Sequence, residues 1–193
     1  MISAIVLCGG GGRRFAGRDK PLETLRGKAL VEHVLERLTP QVDEVLISAN
    51  RNIDRYERFG CPVLRDLVED QGPLAGVVAA AAAAGGEQCF VCPGDAPLLA
   101  KDLVAQLTPA LRETVDVVVP HDGARAQHLF MLFRTELAQS LPAYLATGAR
   151  SVHGWLAGQR VAEVEVADPG SLFNVNTPEA LQALEQSEHG RNS

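Results

Sequence analysis

The strongest constraint on the fold is an alternation of two periodicities. "ISAIVL", from Ile2, is short, β-branched and closed by glycines, and reads as a buried strand. Between residues 30 and 38 the apolar positions Leu30, Val31, Val34, Leu35 and Leu38 make one helical face. "EVLISAN" follows as a second strand, residues 53–59 as a short helix and "PVLRD" as a third strand. "GPLAGVVAAAAAAGG" is a helix opened by Pro73 and stopped by glycines. "QCFVCPGD" is a fourth strand, residues 101–112 a helix and "VDVVVP" a fifth strand. Strand and helix with short connections predict an α/β fold, a mostly parallel sheet flanked by helices on both faces.

The remainder is less regular. "HLFMLFR" predicts another strand, residues 134–146 and 150–157 predict helices, "RVAEVEV" a half-exposed strand, and 177–187 a last helix. A chain of 193 residues can bury one full core, so a single domain over 1–187 is expected, with 188–193 a disordered tail.

The net charge of −6 argues against a nucleic-acid partner. Cations are nevertheless dense near the start, at Arg13, Arg14, Arg18, Lys20, Arg26 and Lys28, which suits a small anionic ligand. No apolar run is long enough to cross a bilayer, and the first residues lack a basic flank followed by an apolar core, so a cytoplasmic protein without a membrane partner is expected. The four cysteines are then expected to be reduced. Cys89 and Cys92 form C-x-x-C, but within a strand these positions face opposite ways and no second metal pair follows.

Ligands of open α/β sheets bind at the carboxyl ends of the strands. The polar residues Arg14, Ser48, Asn50, Arg51, Asp66 and Asp95 all fall at or just beyond such ends, which predicts one shared site. The glycines after the first strand do not fit the dinucleotide fingerprint: counting from Gly9 or Gly10, the sixth position is Arg14 or Phe15. Nor is Gly27-Lys28 a P-loop, since Leu22 and Ala29 occupy the required glycine and hydroxyl positions. What remains is L-x-G-G-x-x-x-R-x-x-x-x-x-K at Leu7, Gly9, Gly10, Arg14 and Lys20. Glycines let backbone N–H groups approach phosphates, and Arg14 and Lys20 can neutralise a triphosphate as pyrophosphate leaves.

This pattern resembles the signature loop of nucleotidyltransferases with a glycosyltransferase-A-like fold. "GGGGRRFAGRDKPL", "LISANR", "LRD", "GPLAG", "CPGDAPLL" and "FNVNTPEAL" occur in the order found in molybdenum cofactor guanylyltransferases, a resemblance that spans about residues 3–185. The resemblance implies transfer of GMP from GTP to molybdenum-bound molybdopterin, with Mg²⁺ as cofactor. It implies Leu7, Cys8 and Gly9 on the base and ribose side, Gly10 and Arg14 near the phosphates, and Lys20 in contact with them. Ser48 and Asp66 would contact the nucleotide, Asp95 would hold the metal, and Asn174 and Asn176 would bind the acceptor. Arg14, Lys20 and Asp95 are the implied catalytic set. A monomer is expected, with transient contacts to cofactor-synthesis proteins and to apo-molybdoenzymes or their chaperones.

Four positions depart from the family pattern. Cys8 replaces the usual alanine, Phe15-Ala16 the usual Met-Gly, and Ser48 an asparagine. Base recognition therefore stays open between GTP and CTP, and a sugar- or polyol-phosphate nucleotidyltransferase is the further alternative. A non-catalytic nucleotide-binding module and a dinucleotide oxidoreductase are disfavoured. Plainer roles also exist: Asp95 as a turn former, Asp66 as a partner of Arg65, and Asn176 or Thr177 as a helix cap. His121 and Asp122 read as a surface turn, His128 as structural and Trp155 as core.

Overall fold

A computed structural model describes residues 1–9, 18–66 and 72–187. The expected tail at 188–193 lies outside these residues, as do Gly10 and Arg14. The strands are β1 (Ile2–Leu7), β2 (Thr24–Leu25), β3 (Lys28–Ala29), β4 (Glu44–Ser48), β5 (Val63–Leu64), β6 (Gln88–Pro93), β7 (Val117–His121), β8 (Met131–Arg134) and β9 (Val161–Glu165). The α-helices are α1 (Leu30–Leu38), α2 (Ile53–Glu57), α3 (Pro73–Ala81), α4 (Leu103–Leu107), α5 (Leu141–Ala146), α6 (Val152–Leu156) and α7 (Pro178–Gln186).

Seven strands form one sheet in the order β5-β4-β1-β6-β8-β7-β9. β1 pairs in parallel with both β4 and β6, and β4 with β5. β8 is antiparallel to β6 and to β7, and β7 is parallel to β9. The sheet is thus mostly parallel, with the single reversal of β8.

Helices cover both faces, as the alternation predicts. Ala4 and Val6 of β1 join one cluster with Val31, Val34 and Leu38 of α1 and Leu103 and Leu107 of α4. Ile5 and Leu7 join the other with Leu74 and Val77 of α3, Leu141 of α5 and Trp155 of α6. Cys92 and Cys89 belong to these two clusters respectively, so the C-x-x-C thiols do face opposite ways. β9 alternates exposed and half-buried residues at the sheet edge.

Several boundaries differ from expectation. The helix expected at 101–112 is five residues of α4 followed by one 3-10 turn, Thr108–Ala110, where Pro109 cannot continue the ladder. The 134–146 helix is a 3-10 stretch, Thr135–Ser140, running into α5. The hairpin β2–β3 was not anticipated. Its two-residue turn holds Arg26 at φ 52° and Gly27 at φ 79°, the left-handed pair that tight hairpins require. A third, small apolar cluster fixes this hairpin against the C-terminal segment: Leu25, Leu30 and Val175 pack with Leu181 and Leu184 of α7. The Arg26 amide donates to Glu185 and its guanidinium to the Leu184 carbonyl.

Among the described residues, no helix is long and apolar enough to cross a membrane.

Candidate active site

Parallel pairing aligns the carboxyl ends of β5, β4, β1 and β6, with Leu7 opposite Ser48 and Pro93, and Ser48 opposite Leu64. Backbone bonding continues past those ends. The Cys8 amide donates to the Ser48 carbonyl at 2.8 Å, and the Gly94 amide to the Leu7 carbonyl at 2.9 Å. Close approach explains Gly94: a Cβ there would lie 2.6 Å from Cys8 Sγ and 3.3 Å from Pro21 Cβ. Burial pushes the Cys8 thiol well above its ordinary pKa, so it is a packed neutral group and not a reactive thiolate.

Asp95 follows this glycine and is one of few buried polar residues, 7% exposed. Its carboxylate pairs with the Lys20 ammonium. Lys20 sits at the start of a 3-10 turn, Lys20–Leu22, and also donates to Asn176 Oδ1 at 2.9 Å. The C-terminal segment comes to this point because the Val175 amide donates to the Asp95 carbonyl at 2.9 Å. Three sequence-predicted residues from distant parts of the chain thus meet. Thr177, not Asn176, caps α7, accepting from the Ala180 amide at 3.2 Å. Among the described residues, Asn174 Oδ1 is buried and has no hydrogen-bond partner.

The other end of the site is built on β4. Asn50 donates from Nδ2 to Asp66 Oδ2 at 2.9 Å and accepts the Asp66 amide at 2.9 Å. Ser48 Oγ adds a longer contact of 3.4 Å to Asp66 Oδ1. Asp66 is therefore oriented by β4, and no Asp66–Arg65 ion pair occurs among the described residues. Gly76 of α3 completes this corner: a Cβ there would lie 2.2 Å from Ser48 Oγ and 3.2 Å from Leu7 Cδ2. Gly76→Ala gains helix propensity, worth about 1 kcal/mol, but must displace Ser48 and Leu7. The clash should win, with a loss of about 1–3 kcal/mol in denaturant unfolding and weaker nucleotide binding.

Gly9 is exposed, with open space where a Cβ would stand. Arg18 pairs with Glu23 at 2.9 Å. His121 is the last residue of β7 and not a turn residue, whereas Asp122 does open the turn that follows; their side chains accept backbone N–H bonds from Gly123, Ala124 and Arg125. His128 stacks on His153, and Trp155 packs edge-on against Phe133 with its indole N–H on Ser140 Oγ. Sequence reasoning missed Asp19, Asn52 and Tyr56, which bond to one another beside Lys20. The available signal was the carboxylate immediately before the lysine.

No cluster of three or more His, Cys, Asp or Glu able to hold a metal occurs among the described residues. Zinc or calcium would want such a cage. Mg²⁺ takes few protein ligands and keeps water or phosphate oxygens for the rest, so the single nearly buried carboxylate of Asp95 meets its minimal demand, with Lys20 as a competitor for that carboxylate.

A mostly parallel sheet with a cationic, carboxylate-bearing site at its strand ends is the arrangement of a nucleotidyltransferase. The model of the MobA-like NTP transferase domain family matches residues 4–163. The chain is 44% identical over 187 residues to a molybdenum cofactor guanylyltransferase of Shewanella sp. (strain MR-4), covering 95% of each chain. It is 41% identical to one from Cupriavidus necator, covering 95% of this chain and 96% of that one. Its fold superposes on the molybdopterin-guanine dinucleotide biosynthesis protein A of Archaeoglobus fulgidus with a TM-score of 0.79, at 25% identity over all of both chains. The chain belongs to the MobA-like NTP transferase family, among the molybdenum cofactor guanylyltransferases, and is a nucleotidyltransferase enzyme.

Proposed function

We propose that the enzyme transfers GMP from GTP to the terminal phosphate of molybdenum-bound molybdopterin. An acceptor phosphate oxygen bonds to the α-phosphorus, the α–β bridging bond breaks, and pyrophosphate leaves with the electron pair. The acceptor is already an anion, so the site has little need of a strong general base and works by positioning and charge neutralisation. The observation that carries this reading is the meeting of Lys20, Asp95 and Asn176 at the strand ends.

Lys20 would bind phosphate oxygens and gain strength as charge collects on the departing pyrophosphate. Asp95 would hold Mg²⁺, which when bound polarises the α-phosphate. Asp66, fixed by Asn50, would accept from the nucleoside, with Leu7, Cys8, Gly9 and Ser48 shaping its bed. Gly10 and Arg14 complete the phosphate side by family resemblance. Asn176 and the unpartnered Asn174 Oδ1 would receive the acceptor. Under this reading the enzyme works in the cytoplasm and passes its product to molybdoenzymes or their chaperones.

The test is to offer GTP, CTP, ATP and UTP in turn with Mg²⁺ and molybdate-loaded molybdopterin, following pyrophosphate release. GTP should be preferred. Preference for CTP would overturn the base assignment, on which Ser48 departs from the family. Release without the pterin but with a sugar phosphate would overturn the acceptor.

A further inference from the structure

Tyr56 lies in α2, outside the row of strand-end polar residues, and is fully buried. Its hydroxyl donates to Asp19 Oδ1 at 2.9 Å and lies 3.5 Å from the Cys8 carbonyl oxygen. Asp19 Oδ2 accepts from Asn52 Nδ2 at 3.0 Å. Asn52 precedes α2 with φ 50°, a left-handed conformation that asparagine tolerates. The Asp19 carbonyl, in turn, accepts from the Leu22 amide at 3.0 Å and so closes the turn that begins with Lys20. One buried phenol therefore touches the chain at both Cys8 and Asp19. Burial, with Asp19 adding to it, keeps the phenol protonated and a donor.

This arrangement answers an electrostatic problem. Asp19 is a carboxylate next to the lysine that would hold phosphate. Left free, it would repel a polyphosphate and compete for the Lys20 ammonium. Both its oxygens are instead committed toward α2, and Lys20 turns to Asp95 and Asn176.

We propose that Tyr56, with Asn52, is a positioning residue for nucleotide transfer: it holds Asp19 so that the turn starting there presents Lys20 to the nucleotide phosphates. The inference rests on the reading of Lys20 as the phosphate-binding cation. Neither residue touches the nucleotide in this scheme, so removing Tyr56 or Asn52 should matter only while Lys20 is present.

The experiment is a set of double-mutant cycles read by calorimetric titration with GTP and Mg²⁺ at fixed ionic strength. Tyr56→Phe keeps the buried ring and removes the hydroxyl. Asn52→Gly removes the second bond at an exposed position whose backbone glycine adopts freely, and stands in if Tyr56→Phe fails to fold. Each should weaken GTP binding roughly tenfold, the effect of losing a hydrogen bond to a charged group. In a Lys20→Met background each should cost less than about twofold. Equal losses in both backgrounds, or no loss in either, would overturn the positioning role. Failure of the unmutated enzyme to bind GTP would overturn the functional reading and this inference with it, whereas additive losses on an enzyme that binds GTP overturn the inference alone.

Discussion

Asp95→Asn should remove about 10³-fold or more of turnover while leaving the protein folded, because under the proposed function this carboxylate would hold the metal that supplies several kcal/mol of charge stabilisation. The substitution preserves shape. The structural bond at this residue is made by its backbone carbonyl, which accepts from the Val175 amide, and is untouched. What is lost is the one nearly buried carboxylate at the end of β6. The check has two parts: pyrophosphate release with GTP and the pterin acceptor, and Mn²⁺ binding followed by the loss of its free-ion resonance. Near-normal turnover would remove Asp95 as the metal ligand. An intact melting transition is required for either result to count.

Lys20→Met has the second largest expected effect. Loss of a cation that strengthens its hold in the transition state should lower kcat/KM for GTP by about 10²–10³-fold. A second readout separates this role from a structural one. Lys20 is the described cation partner of Asp95, so it competes with any metal for that carboxylate. Removing it should tighten Mn²⁺ binding in the absence of nucleotide while weakening GTP binding. Opposite movement of the two affinities is the signature of a lysine shared between carboxylate and phosphate. If both affinities fell together, the substitution would simply have disordered the turn.

Much of the fold was legible because its parts are locally encoded. β1, β4 and β6 are short apolar runs, and α1 carries its apolar face at the positions the periodicity marks. The direction of β8 was not legible, since an apolar run buried on both sides reads the same in either sense. The β2–β3 hairpin was available in "LRGK", whose glycine follows the residue that must also turn left-handed. At the candidate site, the strand-end rule marked Ser48, Asp66 and Asp95, and the sheet brings the ends of β4, β5 and β6 that carry them to one side. It could not find the partners. Lys20 and Asn176 are 156 residues apart, and only tertiary packing of the α7 segment joins them. Tyr56 was invisible for a related reason: a buried tyrosine on a five-residue helix carries no sign in the sequence of which carboxylate its hydroxyl will reach.

The reversal of β8 decides on which side of the sheet the preceding connection runs. A parallel strand beside β6 would be entered from the sheet edge opposite the site, after a helical crossover. Because β8 runs backward, the connection from His121 to Met131 stays on the catalytic edge and enters the sheet beside Val91, two positions before the end of β6. That connection carries no helix whose packing on the sheet would fix its length. Phe130 joins one core cluster while Ala126 and Leu129 pack against the other, so the connection is held from beneath and only its tip, residues 123–125, stands exposed at the edge where Asp95 lies.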